Sequence, residues 1–162
     1  MPKIVTVSGG FDPIHIGHVR MIREARALGD ELVVILNNDN WLMAKKGFVF
    51  MPEAERQEII EALEGVSKVV LTKHVENDPD RSVCGALREI RPDIFANGGD
   101  RFADNIPEAI LAKELGIELV FGIGRGGKVQ SSTWLAASDR ETRLCFCDSK
   151  LLYKDCHGKS KT

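Results

Sequence analysis

This sequence predicts an α/β fold, a doubly wound parallel sheet, and three observations lead there. Short runs rich in Val, Ile and Leu alternate with stretches of helical spacing. The runs are bounded by Gly, Asp or Asn, and they are apolar almost without interruption, as strands covered on both faces must be. Strand–helix–strand repetition gives a parallel sheet with helices on both sides, with ligands beyond the carboxyl ends of the strands near the switch point.

The elements follow in chain order. Residues 3–7 form the first strand. Residues 17–28 form a helix with Val19, Ile22 and Ala25 towards one side and Arg20 and Glu24 towards the other. Residues 31–37 are the second strand. The next helix opens at Pro52, a good first-turn residue, and runs through Ile59, Ile60 and Leu63 to Gly65. Strands at 66–72, 93–96 and 118–122 alternate with helices at 80–90 and 106–115, and Gly116 acts as a C-terminal stop. Near Arg140 the composition turns polar and cysteine-rich, which divides a domain at 1–139 from a tail at 140–162.

A length of 162 residues suits one such domain with a short appendage. The net charge of −2 argues against nucleic-acid binding over the whole surface. No apolar run is long enough to span a membrane. The start, Met-Pro-Lys-Ile-Val, enters a strand without a signal-peptide pattern, so a cytoplasmic location is expected.

The strongest chemical signal follows the first strand, in the run from Ser8 through Gly9, Gly10, Phe11 and Asp12 to His15, Gly17 and His18. Two glycines let the backbone turn tightly and approach a ligand. His15 and His18 are three residues apart at the mouth of a helix and can face one way. Backbone N–H groups there favour phosphate, and two imidazoles can add donors that stabilise charge developing on phosphorus. A zinc pair is the other reading, but no third ligand lies nearby in sequence.

Gly10-Phe11-Asp12 followed by His15-Ile16-Gly17-His18 resembles the signature of the cytidylyltransferase-like nucleotidyltransferases. That family includes glycerol-3-phosphate and ethanolamine-phosphate cytidylyltransferases and the adenylyltransferase domain of heptose-phosphate enzymes. The His-x-Gly-His tetrad is shared with class I aminoacyl-tRNA synthetases, which are far longer. The resemblance extends over residues 3–138. Asn37-Asn38-Asp39 is similar to the family's polar strand end, and Lys45-Lys46-Gly47 stands where members carry a phosphate-binding lysine. Pro52-Glu53-Ala54-Glu55-Arg56 resembles its helix-opening segment. The run from Arg91-Pro92-Asp93 to Gly98-Gly99-Asp100 is similar to the heptose adenylyltransferases.

The family's core closes on an Arg-Thr-x-Gly-Ile-Ser-Thr-Thr loop leading into a helix. Here Gly124-Arg125-Gly126-Gly127-Lys128-Val129 leads to Gln130, Ser131 and Ser132, or, one residue on, to Ser131, Ser132 and Thr133. Either register places small hydroxyls and N–H groups for the β- and γ-phosphates. Glu64 stands where cytidylyltransferases carry an arginine, so CTP and ATP both remain open.

The resemblance implies transfer of a nucleoside monophosphate from an NTP, with Mg²⁺, to a phosphorylated sugar, polyol or amino-alcohol, releasing pyrophosphate. His15, His18 and Lys46 would be catalytic. Gly9, Gly10, Phe11, Asp12, Asp39, Lys45, Arg56, Gly98, Gly99, Asp100, Arg125, Gln130, Ser131 and Ser132 would bind nucleotide, with Asp12 and Asp100 orienting ribose, base or metal. A homodimer is implied by family precedent. The rival reading is a non-catalytic module of the same fold that docks to a ribosome or export partner through its tail; the intact His-x-Gly-His stands against it.

The tail holds Cys145, Cys147, Cys156 and His157, three thiolates and an imidazole that form a recognised tetrahedral set for structural Zn²⁺. In a reducing compartment such a cluster reads as metal ligands. Residues 145–159 resemble the SEC-C motif of the protein-export motor ATPase through Tyr153-Lys154 and Cys156-His157-Gly158, although Asp148-Ser149-Lys150 lacks the usual glycines. From Arg140 onward the chain carries +3 and the remainder −5, so docking to an acidic protein or RNA is expected.

Four ligands close a segment too short to bury a core, so the metal must supply its folding free energy. One Zn²⁺ per chain should therefore accompany protein purified without chelator. Cys147→Ser should lose the metal and keep pyrophosphate release. Elemental analysis that finds no stoichiometric zinc in reduced protein refutes the assignment.

Overall fold

In a computed structural model, which describes residues 1–99, 106–124, 131–132 and 135–136, the five apolar runs lie side by side. They form β1 (Ile4–Gly9), β2 (Glu31–Leu36), β3 (Lys68–Leu71), β4 (Ile94–Gly98) and β5 (Glu118–Ile123), all parallel, in the order β3-β2-β1-β4-β5. The helices are α1 (Ile16–Arg26), α2 (Asp39–Lys46), α3 (Glu53–Glu61), α4 (Cys84–Ile90) and α5 (Glu108–Leu115). This is the doubly wound α/β arrangement expected from the alternation.

Strand side chains alternate between the two faces, and both faces are covered. Val5, Val7, Leu32, Val34 and Leu36 pack on Ile22 and Ala25 of α1 and Ile60 of α3. Ile35 and Phe95 pack on Leu87 of α4 and on Leu111 and Ala112 of α5. A fully buried Leu, Ile or Phe contributes about 1.5–3 kcal/mol, against about 0–1 for exposed ion pairs such as Lys73–Glu89 and Arg88–Glu114. The two apolar layers therefore hold the sheet.

Element ends differ from expectation where side chains compete for the backbone. The helix expected from residue 80 begins at Cys84, because Asp78 Oδ1 accepts from Asp80 N and Asp80 Oδ1 from Ser82 N, bonds that keep residues 78–82 out of the helix. The fifth helix starts at Glu108. It stops as expected, with Gly116 left-handed at φ 71°. A helix absent from the sequence reading is α2: Asn38, expected at a polar strand end, caps it by accepting from Trp41 N at 3.0 Å.

One asymmetry of the sheet positions the site. The β1–β2 ladder runs six residues, from Ile4 to Gly9, whereas the β1–β4 ladder joins only Val5 to Ile94 and Thr6 to Phe95. Order reverses between β1 and β4, so this is the switch point. The strands part there at their carboxyl ends, where a ligand crevice is expected. Among the described residues no helix is long and apolar enough to cross a membrane.

Candidate active site

The loop after β1 is shaped from both sides. Gly10 passes under α2 so closely that a Cβ on it would lie 2.9 Å from Leu42 Cδ2. Phe11 adopts φ 50°, a conformation that costs a residue with a Cβ about 1–2 kcal/mol. Burial of its ring, 1% exposed, holds it there. That ring meets the imidazole of His18 at 4.7 Å between centroids.

The two histidines begin α1 by capping each other's backbone. His15 Nδ1 accepts from Gly17 N at 3.1 Å, and His18 Nδ1 accepts from His15 N at 3.2 Å. The rings stack at 3.8 Å. An Nδ1 that accepts a hydrogen bond leaves a neutral ring's proton on Nε2, so each imidazole keeps an Nε2–H donor for another group. Burial, with a smaller push from His15, lowers the pKa of His18 to about 3, and burial also lowers that of His15. At neutral pH the pair are therefore uncharged donors, fixed in direction by the helix they start.

Asp12 and Lys46 form the second part. The Asp12 side chain is fully buried, and its Oδ1 accepts from Met51 N at 2.6 Å and its Oδ2 from Phe50 N at 2.9 Å. Lys46 Nζ lies 2.8 Å from Oδ2 and donates to the Asp12 carbonyl at 2.6 Å, with the Phe48 ring beneath it at 4.7 Å. The lysine is thereby brought from the end of α2 to the histidine loop. Asp12, expected to orient ribose, base or metal, has both carboxylate oxygens engaged within the protein. Lys45 lies over the Trp41 ring at 4.4 Å.

The Arg56 side chain, expected on nucleotide, is completely buried and bonded within the protein. Nε donates to Met51 O at 2.8 Å, Nη1 to Gly10 O at 2.6 Å and to Asn37 O at 2.7 Å, and Nη2 to Asp39 Oδ1 at 2.5 Å. Asp39, likewise expected on nucleotide, is that partner, and its own N–H donates to Glu53 Oε2. Sequence reasoning missed Asn38, whose N–H donates to Thr72 Oγ1 and whose amide reaches His74 O. Its position before an unrecognised helix was the available signal.

The remaining expected residues divide. Gly9 ends β1 and Gly98 ends β4, where a Cβ would lie 3.0 Å from Met21 Sδ, and Gly99 follows with φ 70°. Ser132 Oγ donates to Pro13 O at 2.7 Å, which draws the closing segment to the histidine loop. Ser131 O accepts from Leu135 N, an early helical bond. Asp100, Arg125, Gln130 and the tail ligands Cys145, Cys147, Cys156 and His157 lie outside the described residues.

A family model described as cytidylyltransferase-like matches residues 6–141. The chain belongs to that family, and it is a nucleotidyltransferase. FAD synthase of Korarchaeum cryptofilum is 34% identical over 156 residues, 93% of this chain and 98% of that protein. The bifunctional protein HldE of Streptomyces coelicolor is 39% identical over 119 residues, 72% of this chain and 24% of HldE, so the chain spans about a quarter of that relative. Among solved structures, the lipopolysaccharide core biosynthesis protein from Thermoplasma volcanium GSS1 superposes with a TM-score of 0.64 at 26% identity, covering 76% of this chain and 98% of that one. The similarity expected from the first loop and the Gly98-Gly99 turn is thus met at the level of family and fold.

Two measurements follow from the geometry. Truncating one partner of a fully buried ion pair typically costs about 3–5 kcal/mol; Arg56 is buried while Asp39 is 35% exposed, so Arg56→Met should lower the urea unfolding free energy by about 2–4 kcal/mol. A loss below about 1 kcal/mol shows that the four bonds are not structural. Because His18 is held below its ordinary 6.5, the unfolded chain takes up the proton first. Its contribution is complete above about pH 6.5 and declines as pH falls towards about 3. His18→Asn, which keeps an acceptor for His15 N, should flatten the fall in urea midpoint between about pH 7 and about pH 5; an unchanged slope refutes the assignment.

Proposed function

We propose that this nucleotidyltransferase is an adenylyltransferase that joins the AMP of ATP to FMN, releasing pyrophosphate and forming FAD. One observation carries the reading: a pair of neutral imidazoles, their Nδ1 atoms held by backbone N–H groups, presents two fixed Nε2–H donors at the mouth of α1. Donors of that kind act on charge that grows at a phosphoryl oxygen, without transferring a proton and without reorganisation. The nucleotide and acceptor are chosen from the relatives, because a protein that matches almost the whole chain is named FAD synthase.

An oxygen of the FMN phosphate attacks the α-phosphorus of ATP in line. A new P–O bond forms as the bond to the bridging oxygen breaks, and pyrophosphate leaves with that electron pair. His15 and His18 hold the α-phosphoryl oxygens as their charge rises. Lys46, brought to the loop by Asp12, supplies positive charge to the triphosphate, and Ser131 and Ser132 open the helix that faces the leaving group. Mg²⁺ supplies charge neutralisation on the triphosphate when bound. Asp12 does not fit as its ligand, since both carboxylate oxygens already serve Lys46, Phe50 and Met51. No cluster of three ligating side chains occurs among the described residues.

The test offers ATP or CTP with FMN, a heptose phosphate or glycerol 3-phosphate, and reads pyrophosphate and the joined product. FAD from ATP and FMN is expected. Pyrophosphate from another pair, with no FAD, overturns the choice of substrates. His18→Ala should lower kcat by about 10²–10³ while the KM for ATP changes less. A near-normal kcat with a raised KM makes His18 a ground-state binder.

A further inference from the structure

The sheet register leads away from the histidine loop towards a second feature. Gly9 at the end of β1 pairs with Leu36 of β2, and Leu36 pairs with Leu71 of β3. At ordinary strand spacing Leu71 lies about 10 Å from Gly9. Beyond it, between the carboxyl end of β3 and α4, opens a crevice of about 150 Å³.

In-line displacement decides which side of the site the acceptor enters. Ser132 follows β5 and bonds Pro13, so the leaving pyrophosphate of the proposed reaction lies towards β4 and β5. The acceptor then comes from the β2–β3 side, which is where the crevice stands.

Its walls favour one kind of occupant. Val70, Val83 and Ala86 are apolar, and the buried polar groups beside them are matched to one another. Thr72 Oγ1 accepts from Asn38 N, and the His74 ring bonds Thr72 Oγ1 at 2.9 Å and donates Nε2–H to Ser82 O at 3.0 Å. Walls whose polar groups are satisfied suit the face of a ring. The rim carries Asp78, Asp80 and Glu89, with Lys73 bound to Glu89 at 2.6 Å, an acidic balance that repels phosphate and favours a neutral edge bearing N–H.

Gly85 singles the crevice out. It is an exposed residue in the first turn of α4, where alanine favours a helix more than glycine does. Its φ is not positive, and a Cβ built on it would meet nothing within 4 Å. Neither backbone conformation nor packing in the described chain calls for glycine at this position, yet the residue lines the crevice. We propose that the space above Gly85 is kept for the acceptor: the crevice is the subsite for the ring end of a phosphorylated acceptor, the isoalloxazine of FMN, with the ribityl chain crossing β2 to bring the phosphate to His15 and His18. This rests on the FMN reading above.

Riboflavin, which carries ring and ribityl chain without phosphate, is the probe. Flavin fluorescence titrated against the wild-type chain and Gly85→Met should show binding weakened about tenfold or more in the variant, with the KM for FMN rising in parallel and kcat and the KM for ATP little changed. The thermal midpoint of Gly85→Met should match or exceed that of wild type, and Gly85→Ala should raise it while binding flavin nearly as well. Equal riboflavin affinity in wild type and Gly85→Met overturns the subsite even where FAD is made. No riboflavin binding by wild type overturns it too. Wild type that binds riboflavin, loses it on Gly85→Met, and makes no FAD keeps the subsite and overturns the reaction.

Discussion

The guanidinium of Arg56 is the point on which the site's geometry depends. Its four bonds tie the end of β2 through Asn37, the histidine loop through Gly10, the turn before α3 through Met51, and the start of α2 through Asp39. Each carbonyl would otherwise face the interior unpaired, and the charge would lack a partner; both costs exceed that of any surface contact. A planar fork of donors answers several acceptors at once, which a lysine point charge does not. The histidine pair sits as it does because Gly10 is held from below by Arg56 and from above by Leu42.

Charge is distributed unevenly around that scaffold. Positive charge is concentrated on Lys45 and Lys46, both on the last turn of α2 and both lying over aromatic rings. The imidazoles add direction without charge. The histidine loop thus carries a fixed cation on one flank and oriented neutral dipoles on the other.

The apolar runs were legible because parallel strands buried on both faces leave little room for polar residues, and all five were found close to their true bounds. The histidine loop was legible because Gly9, Gly10, His15 and His18 follow a strand and precede a helix. What the sequence concealed has a common cause. Short α2 has no strong apolar stripe, since its Trp41 and Leu42 are adjacent in sequence, and its cap at Asn38 was read as strand end. Arg56 and Asp12 look like surface or ligand residues until tertiary contacts bury them, and no local pattern announces a partner 46 or 38 residues away. Gly85 carries no signal in sequence, because its significance is a space left empty by neighbours from β3 and the turn after it.

The short seam between β1 and β4 has a consequence for how the molecule comes apart. It joins segments 89 residues apart, as the Ile4–Asp93 bond shows, whereas β1 and β2 are linked through a single helix. Closing so long a loop costs more chain entropy than forming the β1–α1–β2 unit, and only two residue pairs repay it within the ladder. Of the sheet's internal joints this one has the lowest threshold for local opening, so amide protons of β4 that face β1 should exchange through partial separation while those of β2 await global unfolding. A ligand held from both sides of that joint would bind only the joined form, which would make its occupancy and the cohesion of the sheet one equilibrium.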